Sequence, residues 1–262
     1  MLKVREYFLY ISIYLGIIIV ISTEFLSFFN YLNHFSIKLL WLIIFVIALI
    51  ILSKKKFFNI SYEVLSHIDY KILYILLVFL LTFITALIYP PNSLDAMSYH
   101  LPKVMNWIQN SNLSFYPTND LRQLALAPFS EFALLHLYLI INADNFSNLV
   151  QWYSMIVSCV AVTLISKELG CNIKFQIFSA LFCATLPMGI LQSNSTQTDY
   201  VTSMWLSIMI YFLIKYIKLN QLKFLFYFSL ALGLGIFTKG TFYIFALPFC
   251  CWLGLYILIK NK

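Results

Sequence analysis

Residues 71–100 read KILYILLVFLLTFITALIYPPNSLDAMSYH. The stretch from 72 to 89 has no charged side chain, and a helix of about 20 apolar residues can cross the hydrocarbon core of a bilayer. Two prolines follow and stop the helix, and Asp95 comes only a few residues later. An ionisable group so close to hydrocarbon is costly and is typical of a functional site. The sequence here therefore predicts a membrane-spanning helix with a polar site at its end.

The composition of the chain indicates a membrane protein with several spans. Of its 262 residues, 62% are hydrophobic and 10% are charged, whereas soluble domains have about 25% charged residues. The first apolar run, 7–29, is too long for a signal-peptide core and lacks a small-residue cleavage site, so we expect it to be retained. The net charge of +7 does not indicate a nucleic-acid partner, because the basic residues lie in short loops between apolar runs. The expected surroundings are membrane lipid.

The apolar runs predict an all-α fold, a polytopic transmembrane helical bundle of about seven to nine spans. The predicted spans are 7–29, 37–53, 71–89, 147–166, 174–192, 200–219, 222–238 and 241–259. A further apolar run, 124–142, is ambiguous because it contains Pro128, Glu131 and His136. It is either a span or a helix lying at the membrane surface.

The distribution of basic residues favours the surface alternative for 124–142. If that run does not cross and the N-terminus is cytoplasmic, 13 of the 17 basic residues lie in inner loops, as the positive-inside rule requires. The inner set is Lys3, Arg5, Lys54, Lys55, Lys56, Lys71, Lys167, Lys174, Lys215, Lys218, Lys223, Lys260 and Lys262, and the outer set is Lys38, Lys103, Arg122 and Lys239. The same arrangement places Asp95, Asp199 and Lys239 on one outer surface. If 124–142 crosses, Asp95 and Asp199 lie on opposite sides.

Three short polar segments lie next to membrane-length apolar runs. They are 95–100, 197–200 and 238–241. Asp95 either caps a surface helix or belongs to a site, and Asp199 either caps the helix that we expect to start at Tyr200 or binds a cation. Lys239 either extends to the lipid headgroups or binds a phosphate, which the nearby glycines would allow to approach closely.

The long outer loop, 90–128, is expected to hold helices that lie along the membrane surface. Pro102 favours a helix start, and the apolar residues after it are spaced for an interfacial helix with Trp107 as its anchor. His100 is either a plain interfacial histidine or a ligand or hydrogen-bond donor of the site. Arg122 is a further outer cation.

These segments resemble the motifs of GT-C fold membrane glycosyltransferases, which include the protein O-mannosyltransferases and the aminoarabinose transferases that modify lipid A. Asp95 followed by Tyr99-His100-Leu101-Pro102 and Trp107-Ile108 is similar to their first-loop motif. Thr198-Asp199-Tyr200 resembles their later outer-loop aspartate. GLGIFTKG at 233–240, followed by Leu247-Pro248, resembles their glycine-rich lysine motif. The resemblance covers about residues 70–250, with the motifs in family order.

For the fold, the resemblance implies one transmembrane domain over residues 1–262. Residues 1–70 would hold two extra N-terminal spans, and residues 71–262 would hold the GT-C-like catalytic core portion. Family members are usually longer, so the chain is expected to be an N-terminal portion of such an enzyme. It departs from the family in having Ala96 after Asp95, where members often carry an acidic pair.

For the activity, the resemblance implies transfer of a sugar from a polyprenyl-phosphate-linked donor to a hydroxyl of a lipid, glycan or protein acceptor. The site would face outward from a bacterial plasma membrane. Asp95 would be the catalytic base of an inverting displacement, and Lys239 and Arg122 would bind the donor phosphate. The residues expected to bind a metal ion or the substrate are Asp199 and His100, and the supporting residues are Tyr99, Thr238 and Gly240. The resemblance leaves open whether a divalent metal ion takes part.

Two alternatives belong to other functional classes. One is a transporter or flippase for a lipid-linked glycan, and the other is a non-catalytic membrane protein or inactive fragment. A transporter holds its charged groups near the bilayer midplane, often in broken helices and repeated halves. Asp95, Asp199 and Lys239 fall at the ends of predicted spans, and the sequence has no visible internal repeat. Both features favour the enzyme.

Overall fold

The computed structural model describes residues 2–54 and 70–260, which consist of helices and their connecting loops. Lys55, Lys56 and Lys262, which the charge argument assigns to the inner side, lie outside the described residues. The α-helices of the described residues are α1 (Leu2–Phe28), α2 (His34–Lys54), α3 (Tyr70–Ile88), α4 (Leu101–Asn110), α5 (Arg122–Ala125), α6 (Phe129–Ile141), α7 (Leu149–Glu168), α8 (Ile173–Ala184), α9 (Pro187–Ser193), α10 (Asp199–Leu219), α11 (Leu222–Ile236) and α12 (Phe242–Lys260). A π-helical turn, Ala96–His100, directly precedes α4.

Six of the described helices are long and apolar enough to cross a membrane, namely α1, α2, α3, α7, α10 and α12. The number becomes seven if α8 and α9 count as one span, although they meet at an angle of 66°. The predicted span 174–192 is therefore not one straight helix, because Pro187 at the start of α9 cannot donate the hydrogen bond that would continue α8.

The two remaining apolar runs form helices shorter than expected. The predicted span 222–238 is the 15-residue helix α11, which measures about 22 Å against a hydrocarbon core of about 30 Å. The ambiguous run 124–142 contains α6, which has only 13 residues. The expected count of seven to nine spans is thus reached only at its lower limit, and only if the bent pair is included.

The most buried helix is α10, which packs against α7 and α11. Its side chains Trp205, Tyr211 and Phe212 are enclosed in the largest apolar core. Leu9 of α1 is fully buried in the same core, and the close approach of α1 depends on Gly16, where a Cβ atom would lie 2.8 Å from the Trp205 ring. A helix that is apolar on all sides is suited to a position surrounded by other helices.

The segment between α3 and α7 leaves and returns to the same end of the bundle. Asn148, just before α7, donates a hydrogen bond from its side chain to the carbonyl of Tyr89, just after α3, at 2.9 Å. At this end, the backbone N–H of Phe129 at the start of α6 also donates to the carbonyl of Phe237 after α11, at 3.0 Å. This return agrees with the alternative in which 124–142 does not cross the membrane.

The opposite end of the bundle carries a separate set of ion pairs. Glu6 of α1 contacts Lys215 near the end of α10 at 2.6 Å, and Arg5 donates to Gln176 of α8 at 3.0 Å. Lys218 and Glu168 form another pair at 3.6 Å. Lys215 and Lys218 stand near the end of α10, which begins at Asp199, so at about 1.5 Å per residue they lie about 24–28 Å from Asp199. Arg5, Lys215 and Lys218, three of the basic residues assigned to the inner side, therefore lie at one end of the bundle.

Candidate functional site

The first pair of the candidate site is Asp95 with Arg122. Asp95 immediately precedes the π-helical turn, and π-helical turns occur often at functional sites. Its carboxylate lies 3.7 Å from the Arg122 guanidinium, and both side chains are about half exposed. The stronger contact of Arg122 is with Asp120, which accepts its hydrogen bonds at 2.7–3.1 Å. The guanidinium also lies over the Tyr99 ring, 4.7 Å from its centre.

The charged groups of this pair shift the pKa values of Tyr99 and Asp120. Burial, followed by the charge of Asp95 and a hydrogen bond to it, raises the pKa of Tyr99 to about 12. Tyr99 therefore keeps its proton at neutral pH and can donate it in a hydrogen bond to Asp95. Hydrogen bonds from Arg122 lower the pKa of the Asp120 carboxyl group, so Asp120 stays ionised and holds the guanidinium in place.

The second pair is Asp199 with Lys239. The Lys239 ammonium donates to the Asp199 carboxylate at 2.7 Å, although α11 and α12 flank Lys239 and Asp199 begins α10. Of the two alternatives for Asp199, the one in which it caps a helix starting at Tyr200 is wrong. Asp199 is the first residue of the helix, and its N-cap is Thr198, which makes no side-chain capping bond. A carboxylate in the first turn is still favoured by the helix dipole.

The capping role at α10 belongs instead to Gln151 of α7. Its side-chain oxygen accepts hydrogen bonds from the backbone N–H groups of Tyr200 at 2.8 Å and Val201 at 3.2 Å. Gln151 is fully buried, so this contact fixes the start of α10 against α7 and leaves the Asp199 carboxylate free for Lys239. The sequence contains no local signal for it, because the partners are far apart in the chain.

The expected supporting residues around Lys239 contribute less than the sequence suggested. Thr238 is buried, and its hydroxyl donates back to the carbonyl of Leu234 in the preceding turn, at 2.7 Å. Gly240 is exposed, and a Cβ atom there would meet no other group within 4 Å. Among the three glycines of the 233–240 motif, close approach is required only at Gly235, where a Cβ atom would lie 2.2 Å from the Phe242 ring.

His100 is buried rather than interfacial and lies in a cluster that the sequence did not indicate. Its Nδ1 atom lies 3.0 Å from Oε1 of Glu131, which is fully buried on α6. The Lys103 ammonium lies 3.8 Å from the same oxygen and donates to the carbonyl of Leu126 at 2.8 Å. Burial, opposed in part by Glu131, lowers the pKa of Lys103. The signal that could have found Glu131 is its position as the lone acidic residue in the apolar run 124–142.

Trp107 is also not an interfacial anchor. It is 5% exposed, and its ring packs at 5.5 Å from that of Phe132 on α6. The apolar side of α4 therefore faces protein, which is why the spacing of its apolar residues resembled that of a helix lying on lipid. Pro102 does stand in the first turn of α4, as predicted.

The two carboxylate–cation pairs lie at the same end of the bundle. Arg122 begins α5, a few residues before Phe129, and Phe129 is bonded to Phe237, two residues before Lys239. Among the residues that the structure describes, no hydrogen bond or ion pair joins one pair to the other. Convergence of Asp95, Asp199 and Lys239 in one cleft therefore stays a prediction.

No protein-family model, curated protein or solved structure matches this chain.

The described residues offer a metal ion few ligands. Within 2–54 and 70–260, no three or more His, Cys, Asp or Glu side chains come together as a metal-binding group. Asp199 is occupied by Lys239, and His100 is turned towards Glu131. We therefore assign no chemical step to a metal ion.

Proposed function

We propose that this protein is a membrane glycosyltransferase that transfers a sugar from a polyprenyl-phosphate-linked donor to an acceptor hydroxyl. The observation that carries the proposal is the pairing of two part-exposed carboxylates with two cations at one end of a membrane-type bundle. Such a site offers a base for the acceptor and positive charge for a phosphate leaving group. The resemblance to the GT-C motifs supports the same assignment.

In the proposed reaction, Asp95 takes the proton of the acceptor hydroxyl while that oxygen attacks the anomeric carbon. The bond between the anomeric carbon and the phosphate oxygen breaks, and the bonding electrons leave with the phosphate. A single displacement inverts the anomeric centre. Asp95 suits this role because its side chain is 42% exposed and because the neighbouring Tyr99 hydroxyl keeps its proton and can donate to it.

Lys239 and Arg122 supply the positive charge for the donor phosphate. In the resting protein, Asp199 orients the Lys239 ammonium at 2.7 Å and Asp120 orients the Arg122 guanidinium. A cation that is already oriented stabilises charge in the transition state without reorganisation. Asp199 is proposed to position Lys239 and to contact the acceptor or the sugar.

An apolar cavity supports a lipid-linked donor. It measures ≈360 Å³, and its lining includes Gly16, Phe129, Tyr153 and Trp205. Val201, two residues after Asp199, also lines it. A hydrocarbon chain bound in this cavity would place its phosphate near the polar end of the bundle, while a free sugar nucleotide would gain nothing from an apolar wall.

The proposal includes a location. The site faces outward from a bacterial plasma membrane, in a GT-C-like bundle of seven to nine spans whose helices α4, α5 and α6 lie near the surface. The acceptor is a lipid, a glycan or a protein. A lipid-linked donor fits an outward-facing site because sugar nucleotides are cytoplasmic.

The test is sugar transfer from a synthetic polyprenyl-phosphate sugar by the chain reconstituted in membranes. Asp95→Asn keeps the shape but cannot accept a proton, so transfer should fall by about 10²–10⁴-fold. Asp144→Asn, a part-exposed carboxylate of the same 90–148 segment, is the matched control and should retain activity. An active wild-type chain whose Asp95→Asn variant is equally active would refute the assigned base.

A further inference from the structure

The direct contact between Asp95 and Arg122 is too weak to fix the separation of their side chains. Both side chains are about half exposed and the closest approach is 3.7 Å, and exposed pairs contribute little to a fixed geometry. The bidentate contact of Arg122 is with Asp120, two residues earlier in the chain, so it does not fix Asp95. The relative position of base and cation therefore depends on the contacts that join their two segments, which include a hydrogen bond from the Gln123 side chain of α5 to the carbonyl of Ser98 at 2.9 Å.

The buried carboxylate of Glu131 provides a further connection between the two segments that carry the pair. His100, which ends the turn that follows Asp95, contacts its Oε1 atom at 3.0 Å. Lys103 lies 3.8 Å from the same atom and donates to the carbonyl of Leu126, the residue that caps the end of α5. Because Arg122 begins α5, one carboxylate oxygen is linked to both segments that carry the exposed pair.

The way in which Glu131 is buried argues against a purely stabilising role. It is fully buried on α6, and its Oε2 atom has no hydrogen-bond partner among the described residues. Burying a charge with incomplete hydrogen bonding is unfavourable, and apolar replacements of buried ion pairs are often as stable or more stable. A carboxylate kept there despite this cost is better explained by the geometry that it imposes.

We infer that Glu131 is a positioning residue of the site, and that it acts on the separation of Asp95 and Arg122 through His100 and Lys103, beside the direct bond from Gln123 to Ser98. The consequence for catalysis rests on the proposed function, whereas the mechanical link does not. Glu131 touches neither Asp95 nor Arg122, so it acts only through its two partners.

The experiment compares three variants of the full chain in membranes. Glu131→Gln keeps an acceptor for His100 but loses the charge, and Glu131→Asp keeps the charge but moves it by one methylene. The third is Glu131→Leu combined with Lys103→Met, because Glu131→Leu alone would leave the Lys103 charge buried without a counter-charge. Glu168→Gln at the opposite end, where Glu168 pairs with Lys218 at 3.6 Å, is the matched control.

Amide hydrogen exchange is the readout that does not need enzyme activity. In the double variant, exchange should rise in 96–104 and 122–126 and remain unchanged in α10, and Glu168→Gln should leave both segments unchanged. Exchange at wild-type levels in both segments would overturn the inference. A uniform rise along the chain would also overturn it, because it would show a general structural role.

Kinetics then test the catalytic consequence. Misplacement of a reacting group by about 1 Å costs about 10²-fold in rate, so the double variant should lose kcat by about that factor with little change in KM for the donor. The kcat of Glu131→Gln should lie between those of the double variant and the wild type. If the wild-type chain transfers no sugar while exchange changes in the two segments, the proposed function fails and the link stands. If the wild type is active and the double variant keeps its kcat, the positioning role fails.

Discussion

The Lys239–Asp199 pair predicts a small effect on stability together with a large effect on transfer. The ammonium and carboxylate are 2.7 Å apart, but their side chains are 34% and 45% exposed. Exposed ion pairs contribute about 0.2–1 kcal/mol. Lys239→Met should therefore lower the free energy of unfolding by no more than about 1 kcal/mol, or about 2–4 °C in Tm for a chain of this size. A double-mutant cycle with Asp199→Asn should give a coupling energy in the same range.

The effect on transfer should be much larger because phosphate charge increases as the bond breaks. Loss of one oriented donor to such charge costs about 10²–10³-fold in rate, and donor binding should weaken as well because the phosphate is charged before it reacts. The transfer rate of Asp199→Asn should lie between those of Lys239→Met and the wild type, since this variant leaves the Lys239 ammonium in place but less well oriented.

The assay measures sugar transfer and thermal unfolding on the same reconstituted samples. Lys38→Met, which removes an exposed lysine from the first turns of α2, is the control for loss of a surface charge. Transfer by Lys239→Met within about threefold of the wild type would refute the phosphate role, since it is far below the loss expected for an oriented donor. A coupling energy above about 3 kcal/mol would show that the pair is a structural element, because such values belong to buried pairs.

The remaining predictions concern topology, helix packing and the support of Asp95. An impermeant thiol reagent should label a cysteine at Asn119 and not one at Asn172, because the basic residues place 90–128 outside and 167–174 inside; equal labelling of both would refute the topology and the outward-facing site. Gly235→Ala should destabilise the protein by about 1–3 kcal/mol, since the new methyl group would overlap the buried Phe242 ring. Gly233→Ala, where a Cβ atom would meet open space, should be neutral or stabilising. Thermal unfolding of the two variants would show the difference. Tyr99→Phe removes the hydroxyl that can donate to Asp95 and keeps the ring beneath Arg122, so kcat should fall by a few-fold, as expected for about 1 kcal/mol. In the folded protein the pKa of Tyr99 is raised to about 12. The stability that Tyr99 contributes is therefore present below about pH 10 and is lost as the pH rises towards 12. Over that range the free energy of unfolding of the wild type should fall relative to that of Tyr99→Phe.

The membrane class and most helix positions could be predicted from the sequence because they depend on local composition. The predicted spans 71–89 and 200–219 correspond to α3 at Tyr70–Ile88 and α10 at Asp199–Leu219. An apolar run of membrane length has no other favourable state in lipid than a helix that satisfies its own backbone. The bend between α8 and α9 also had a local signal in Pro187, which the prediction of one span over 174–192 did not use.

The pairing of the charged side chains was decided only by the tertiary structure. Asp199 and Lys239 are 40 residues apart, and His100 and Glu131 are 31 apart. The sequence marked Asp95, Asp199, Lys239 and Arg122 as costly charges near the membrane edge. It did not show that Lys239 pairs with Asp199, or that His100 is buried against Glu131.

The physical reason is the range of the interactions involved. Hydrophobic length and proline chemistry act within one segment, so a linear pattern records them. The contact of a carboxylate with a particular cation depends on how separate helices pack, and packing is set by side-chain shape across the whole bundle. Residue types in the sequence therefore determined which charges need partners, and the arrangement of the helices determined which partners they have.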